Sequence, residues 1–240
     1  MKTLLLSLLA ALSLYASEIT VAAAASYRNA LEELITHYDN KVNLIFNASG
    51  KFYHQIEQGA PFDVFMAADM KYPQEAVKNG YAAGEAIPTV ENRLILWSRT
   101  IDVSKGMKVL QDKKVKKIAI ANPKTAPLGE RAVESLKYAK IYETIESKLV
   151  YGESISQATH FVESGAAEVG ITGFSVVANI INEGKGQYFM LDPKSHKSMI
   201  YGTVVLKNSK QPEAAKRFVA FLKSPKAAEV FKKHGLTVIP

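Results

Sequence analysis

Val42-Asn43-Leu44-Ile45-Phe46-Asn47-Ala48-Ser49-Gly50-Lys51-Phe52-Tyr53-His54-Gln55-Ile56 reads as a strand, a turn and a helix in immediate succession. Val42–Phe46 is a short β-like run, and Asn47-Ala48-Ser49-Gly50 ends it with small, turn-forming residues. Phe52, Gln55 and Ile56 then recur at three- and four-residue spacing, one face of a helix. The same succession lies upstream. Glu18–Ala24 reads as a strand that ends at Ser26, and Leu31, Leu34, Ile35 and Tyr38 follow at helical spacing. It recurs downstream as Val64–Ala67, then Asp69 and a helix through Val77 that Asn79-Gly80 stops.

After Thr89 the pattern restarts. Strands are expected at Leu94–Trp97, Val115–Ala121, Lys148–Tyr151, Val169–Thr172 and Ile200–Leu206. Helices are expected at Arg131–Ala139, Ser156–Glu163, Val176–Ile181, Pro212–Leu222 and Lys226–His234. Strands alternating with helices predict an α/β fold with largely parallel sheets. Two such blocks predict two lobes with a ligand cleft between them: residues 18–92 with 198–240, and residues 93–197. The chain is expected to cross between lobes twice, near Asn92-Arg93 and near His196–Met199. Four successive alanines, Ala22–Ala25, predict close backbone packing.

The 240 residues are 48% hydrophobic and 22% charged, the composition of an ordinary globular protein. With no cysteine, disulfides, thiolate zinc sites, iron–sulfur clusters and cysteine nucleophiles are excluded. The net charge of +7 favours anionic partners in general. Lys2, the apolar run Leu4–Leu14 and the small residues Ala16 and Ser17 read as a signal peptide over residues 1–17. Cleavage is expected after Ala16 or Ser17, and export makes cytosolic cofactors and genomic DNA unfitting partners.

The strand-to-helix junctions hold the chemistry. Ser26, Ser49-Gly50, Thr125-Ala126-Pro127-Leu128-Gly129 and Ser154-Ile155-Ser156 each put free backbone N–H groups at a helix opening. Such groups bind anions, and in open α/β sheets they gather at the carboxyl ends of the strands. Two facing lobes would offer four helix openings to one small anion. A single junction of this kind is equally read as a plain helix cap, worth about 1 kcal/mol without a ligand.

Longer stretches carry a resemblance. Ala22-Ala23-Ala24-Ala25-Ser26, Asn29-Ala30-Leu31-Glu32-Glu33, Phe46-Asn47-Ala48-Ser49-Gly50-Lys51 and Gln55-Ile56-Glu57-Gln58-Gly59-Ala60-Pro61-Phe62-Asp63 resemble the periplasmic molybdate-binding proteins of ABC transporters. So do Ala67-Ala68-Asp69, Ala121-Asn122-Pro123, Ala126-Pro127-Leu128-Gly129, Gly170-Ile171 and the closing Pro225-Lys226-Ala227-Ala228-Glu229-Val230-Phe231 with Gly235-Leu236-Thr237. The resemblance implies an exported, non-enzymatic solute-binding protein. It would capture molybdate or tungstate without cofactor or metal cation and deliver it to a membrane permease. It implies Ser26 and Ser49 as donors from side chain and backbone, and Leu128 and Ile155 as backbone donors. A tyrosine hydroxyl common in the family would fall at Gly173, where this chain has none; the Tyr27 backbone N–H is the expected substitute. A site of neutral donors suits a fully deprotonated dianion, whereas phosphate needs an acceptor for its own proton. Glu153, the one carboxylate in the junction loops, reads as a solvent-facing helix-opening residue.

Other features read as bland. Lys113-Lys114 and Lys116-Lys117 lack interleaved aromatics and read as a solvated loop, so no nucleic acid is expected. His37, His54, His160, His196 and His234 show no zinc spacing. Asp63 and Asp69 flank a strand and read as turn and cap residues before they read as an acid pair. A monomer is expected. The rival readings are a binding protein for sulfate, phosphate or a small organic anion on the same fold, and a periplasmic hydrolase using Ser26 or Ser49.

Overall fold

The computed structural model describes residues 18–239; the signal peptide expected over residues 1–17 lies outside them. The strands are β1 (Ile19–Ala24), β2 (Val42–Asn47), β3 (Val64–Ala67), β4 (Ile87–Glu91), β5 (Leu94–Ser98), β6 (Ile118–Ala121), β7 (Leu149–Gly152), β8 (Val169–Gly173), β9 (Gln187–Met190), β10 (Ile200–Val205) and β11 (Thr237–Val238). They form two sheets, β11-β4-β10-β3-β1-β2 and β7-β6-β8-β5-β9. The helices are α1 (Arg28–Leu34), α2 (Ser49–Glu57), α3 (Lys71–Lys78), α4 (Pro127–Tyr138), α5 (Tyr142–Ile145), α6 (Ile155–Glu163), α7 (Phe174–Asn182), α8 (Pro212–Phe221) and α9 (Pro225–Lys233). This is the two-lobed α/β fold that the strand–helix alternation predicts.

Burial explains the strand sequences. β3 and β6 are buried at every residue, and β1 at all but Thr20, because helices cover both faces. They therefore read as unbroken apolar runs. The edge strand β2 alternates between exposed and half-buried positions instead.

The sheets are mixed, which corrects the expectation of largely parallel ones. β1 pairs in parallel with β2 and β3, and β6 with β7 and β8. β10 runs antiparallel to β3 and β4, β11 to β4, and β5 to β8 and β9. The cause is the passage between sheets. Parallel neighbours need a long crossover connection, usually a helix. β5 instead receives the chain directly from β4 through Asn92 and Arg93, and β10 receives it back from the second sheet. The two passages lie side by side, where the Asn92 N–H donates to the Met199 carbonyl at 3.1 Å.

Some boundaries differ from the sequence expectations. α4 begins at Pro127, not Arg131, since proline suits a first helical position. β6 begins at Ile118, because the Glu168 carboxylate takes the N–H groups of Lys116 and Lys117 (3.1 and 2.7 Å). The short strands β4, β9 and β11 and the one-turn α5 have no counterpart in the periodicity.

Candidate anion-binding site

Five strand ends converge. Ala24 ends β1 and Ala25 and Ser26 follow it, Asn47 ends β2 and Ala48 and Ser49 follow it, and Ala68 follows β3. Ala126, Pro127 and Leu128 follow β6, and Ile155 follows β7. Together they line one small cavity of about 10 Å³. Thus Ser26, Ser49, Leu128 and Ile155 meet in one place, at the carboxyl ends of parallel strands from both sheets. No charged side chain and no histidine lines it. A larger hollow of about 370 Å³ lies beside Tyr138 and Phe189, away from these strand ends.

The donors are neutral and oriented. Ser49 Oγ accepts the Ala68 N–H at 3.0 Å, which leaves the hydroxyl proton free for the cavity. Ser26 Oγ is buried and makes no hydrogen bond. Ser49, Leu128 and Ile155 stand in the first turns of α2, α4 and α6, where amide N–H groups have no partner within the helix. Pro127 has no N–H, so Leu128 carries the first free amide of α4. Neither Ala48 nor Ala126, the residues that precede α2 and α4, has a side chain to cap them. Ser154 differs, because its hydroxyl accepts the Gln157 N–H at 3.4 Å and caps α6 itself.

Tyr27 does not line the cavity. Its ring is fully buried, 5.1 Å from that of Tyr201 and 6.3 Å from that of Phe231. Gly173 has no room for a side chain. A Cβ there would fall 2.6 Å from Asn92 Nδ2 and 3.3 Å from Leu128 Cδ2.

The lobes touch around the cavity. The Gly50 N–H donates to the Thr125 carbonyl at 2.8 Å, and Asn29 Nδ2 to the Val176 carbonyl at 3.3 Å. Glu153 stays largely exposed, yet it reaches across to pair with Lys51. Behind the cavity Asp69 is buried, with Oδ1 accepting the Tyr72 N–H at 3.3 Å and Oδ2 unpartnered. Burial pushes its carboxyl up to about 6, against the pull of that N–H and of the Arg131 and Lys71 charges. Asp63 is a structural acceptor, taking the Thr20 N–H at 2.7 Å and the Ser209 hydroxyl at 2.6 Å.

Sequence reasoning missed Ala68, whose amide orients Ser49, although the run Ala67-Ala68-Asp69 follows a strand like the other junctions.

The family model of the bacterial extracellular solute-binding proteins matches residues 19–237. This chain belongs to that family. Among relatives of this solute-binding protein, the molybdate-binding protein ModA of Rhodobacter capsulatus is 38% identical over 233 residues, which are 94% of this chain and 90% of the relative. ModA of Azotobacter vinelandii is 36% identical over 229 residues, 92% of this chain and 90% of its own. The solved structure of the Azotobacter vinelandii periplasmic molybdate-binding protein matches with a TM-score of 0.87 at 27% identity, covering 92% of this chain and 99% of that one. These relatives are binding proteins, and the solute-binding protein described here shares their two-lobed architecture.

Proposed function

We propose that this protein captures molybdate, and tungstate with it, in the cavity between its lobes and delivers the ion to an ABC permease. Residues 18–92 with 198–240 form one lobe in this reading, and residues 93–197 the other. Export through residues 1–17 places it in the periplasm, where it acts as a monomer without cofactor or catalysis. Ser26 and Ser49 donate hydroxyl and amide protons, and Leu128 and Ile155 donate amide protons. The observation that carries this reading is a buried cavity lined only by neutral groups, with two serine hydroxyls and three helix openings turned to it. Such a lining compensates a dianion with dipoles and presents no carboxylate to take a ligand's proton. The relatives named as molybdate-binding support the choice of ion. No histidine stands at the cavity to activate Ser26 or Ser49, which argues against a hydrolase.

Thermal denaturation with molybdate, tungstate, sulfate or phosphate tests the proposal. A ligand at 100 times its dissociation constant adds about 2.7 kcal/mol, a shift of several degrees. Molybdate and tungstate are expected to give it. A shift with sulfate or phosphate alone would sink the choice of ion, and no shift with any of the four would sink oxyanion capture.

A further inference from the structure

The second lobe carries a hollow that the anion cavity does not use. It lies between the short helical segment Gly106–Gln111, the C-terminal half of α4, and the end of β9 with the passage that follows it. Its volume of about 370 Å³ falls within the range of about 300–1,000 Å³ usual for small-molecule pockets. Met107, Ile141 and Leu191 line it, together with the rings of Tyr138 and Phe189, which are exposed. Phe189 lies against the backbone of Gly106, where a Cβ would fall 2.8 Å from Cε1 of the ring.

The polar groups of the hollow are sorted by depth. The buried Ser195 hydroxyl donates to the Asp192 carbonyl at 2.6 Å, so the buried Ser135 hydroxyl, 2.9 Å from it, is the donor of that pair. Both protons are thus spent within the protein, and neither is left for a charged guest. Lys105 and Lys108 are exposed, and among the described residues neither forms an ion pair. They open the stretch Lys105–Lys117, which holds six lysines against one aspartate. The carboxylates nearby are turned to backbone amides: Asp102 accepts the Ser104 N–H at 2.9 Å, Asp112 the Lys114 N–H at 2.8 Å, and Asp192, the one carboxylate in the lining, the Lys194 N–H at 2.9 Å.

We propose that this hollow is a second binding site, for a small organic anion with an apolar body, such as an aromatic or medium-chain carboxylate or sulfonate. Its charge stays in water beside Lys105 and Lys108, because a charge without a donor is costly to bury, and its body covers Met107, Leu191 and Phe189. An inorganic oxyanion has no apolar body and gains nothing from this lining. The site does not depend on the capture reading. Along α4, Leu128 at the anion cavity and Tyr138 at the hollow are about 15 Å apart.

Fluorescence titration of the full mature chain with anilinonaphthalene sulfonate, and with the uncharged phenylnaphthylamine, tests this. One saturable sulfonate site per chain is expected, with the uncharged probe bound about tenfold more weakly, the scale of two partly exposed charge contacts. Lys105→Gln with Lys108→Gln should bring the sulfonate down to the level of the uncharged probe and leave the latter unchanged. Phe189→Ser should weaken both probes, and Tyr138→Ser, at a more exposed ring, repeats that test without touching a strand. Octanoate should displace the sulfonate, and molybdate should not. No saturable binding, equal affinity of the two probes in the wild type, an unchanged sulfonate affinity in the lysine variant, or displacement by molybdate would overturn the assignment.

Discussion

Asp69 is the residue whose environment most opposes its charge. Its carboxyl is raised from an ordinary 3.8 to about 6, so the folded chain holds this proton more tightly than the unfolded chain does. The contribution to stability is then greatest below pH 4 and declines as pH rises through 4 to 6. Above 6 the full cost stands, on the order of 3 kcal/mol at 1.36 kcal/mol per unit. The charges around it are Arg131 and Lys71, which favour ionisation, and Glu130, which opposes it. Asp69→Asn keeps an acceptor for the Tyr72 N–H and removes the titration. Urea denaturation at stepped pH should therefore show a shallower decline in the variant between pH 4 and 6; parallel profiles would refute this. Residues of this kind mark how far sequence reading reaches. Ser26, Ser49, Leu128 and Ile155 were legible because each follows a strand and opens a helix, a local pattern. The bond that orients Ser49 from Ala68, and those that tie Asn92 to Ser175 and Tyr201, join residues 19, 83 and 109 apart, which no window along the chain contains.

Among the elements, α2 joins the lobes at its first turn. Its second residue, Gly50, donates across to Thr125, and a Cβ there would sit 2.8 Å from the Thr125 carbonyl and 2.7 Å from the Tyr72 hydroxyl. The clash with Thr125 exists only when the lobes meet. Gly50→Ala is therefore expected to leave the ligand-free melting temperature nearly unchanged and to shrink the molybdate-induced shift. A fall in the ligand-free value of the same size would place the cost in folding instead. The long, strongly periodic elements were readable for the reason that β1, β3 and β6 are buried on both faces. The direction of β5 and β10 was not readable, because it depends on which sheet receives the chain and not on the strand's own residues.

For the whole molecule, Lys51 and Glu153 add the outermost contact between lobes, and Glu153 remains mostly in water. Exposed pairs contribute about 0–1 kcal/mol and are screened by salt. Glu153→Gln should raise the molybdate dissociation rate no more than about fivefold at low salt, with the difference vanishing near 1 M salt. Stopped-flow displacement by tungstate reads this directly, and a salt-independent difference would assign Glu153 another role.

The two inter-sheet passages, joined by the Asn92 N–H to Met199 carbonyl bond, act as a single spine. A body bound along one spine opens as a wedge, and displacement grows with distance from the fold line. The anion cavity lies close to that line, since Gly173 sits against both Asn92 and Leu128. A tetrahedral ion therefore governs a short lever, and the far rims move on a long one. Under the proposed capture, such an arrangement would act as a mechanical amplifier: one ion would be written as a change in rim separation, which a partner spanning both rims would read without touching the ion.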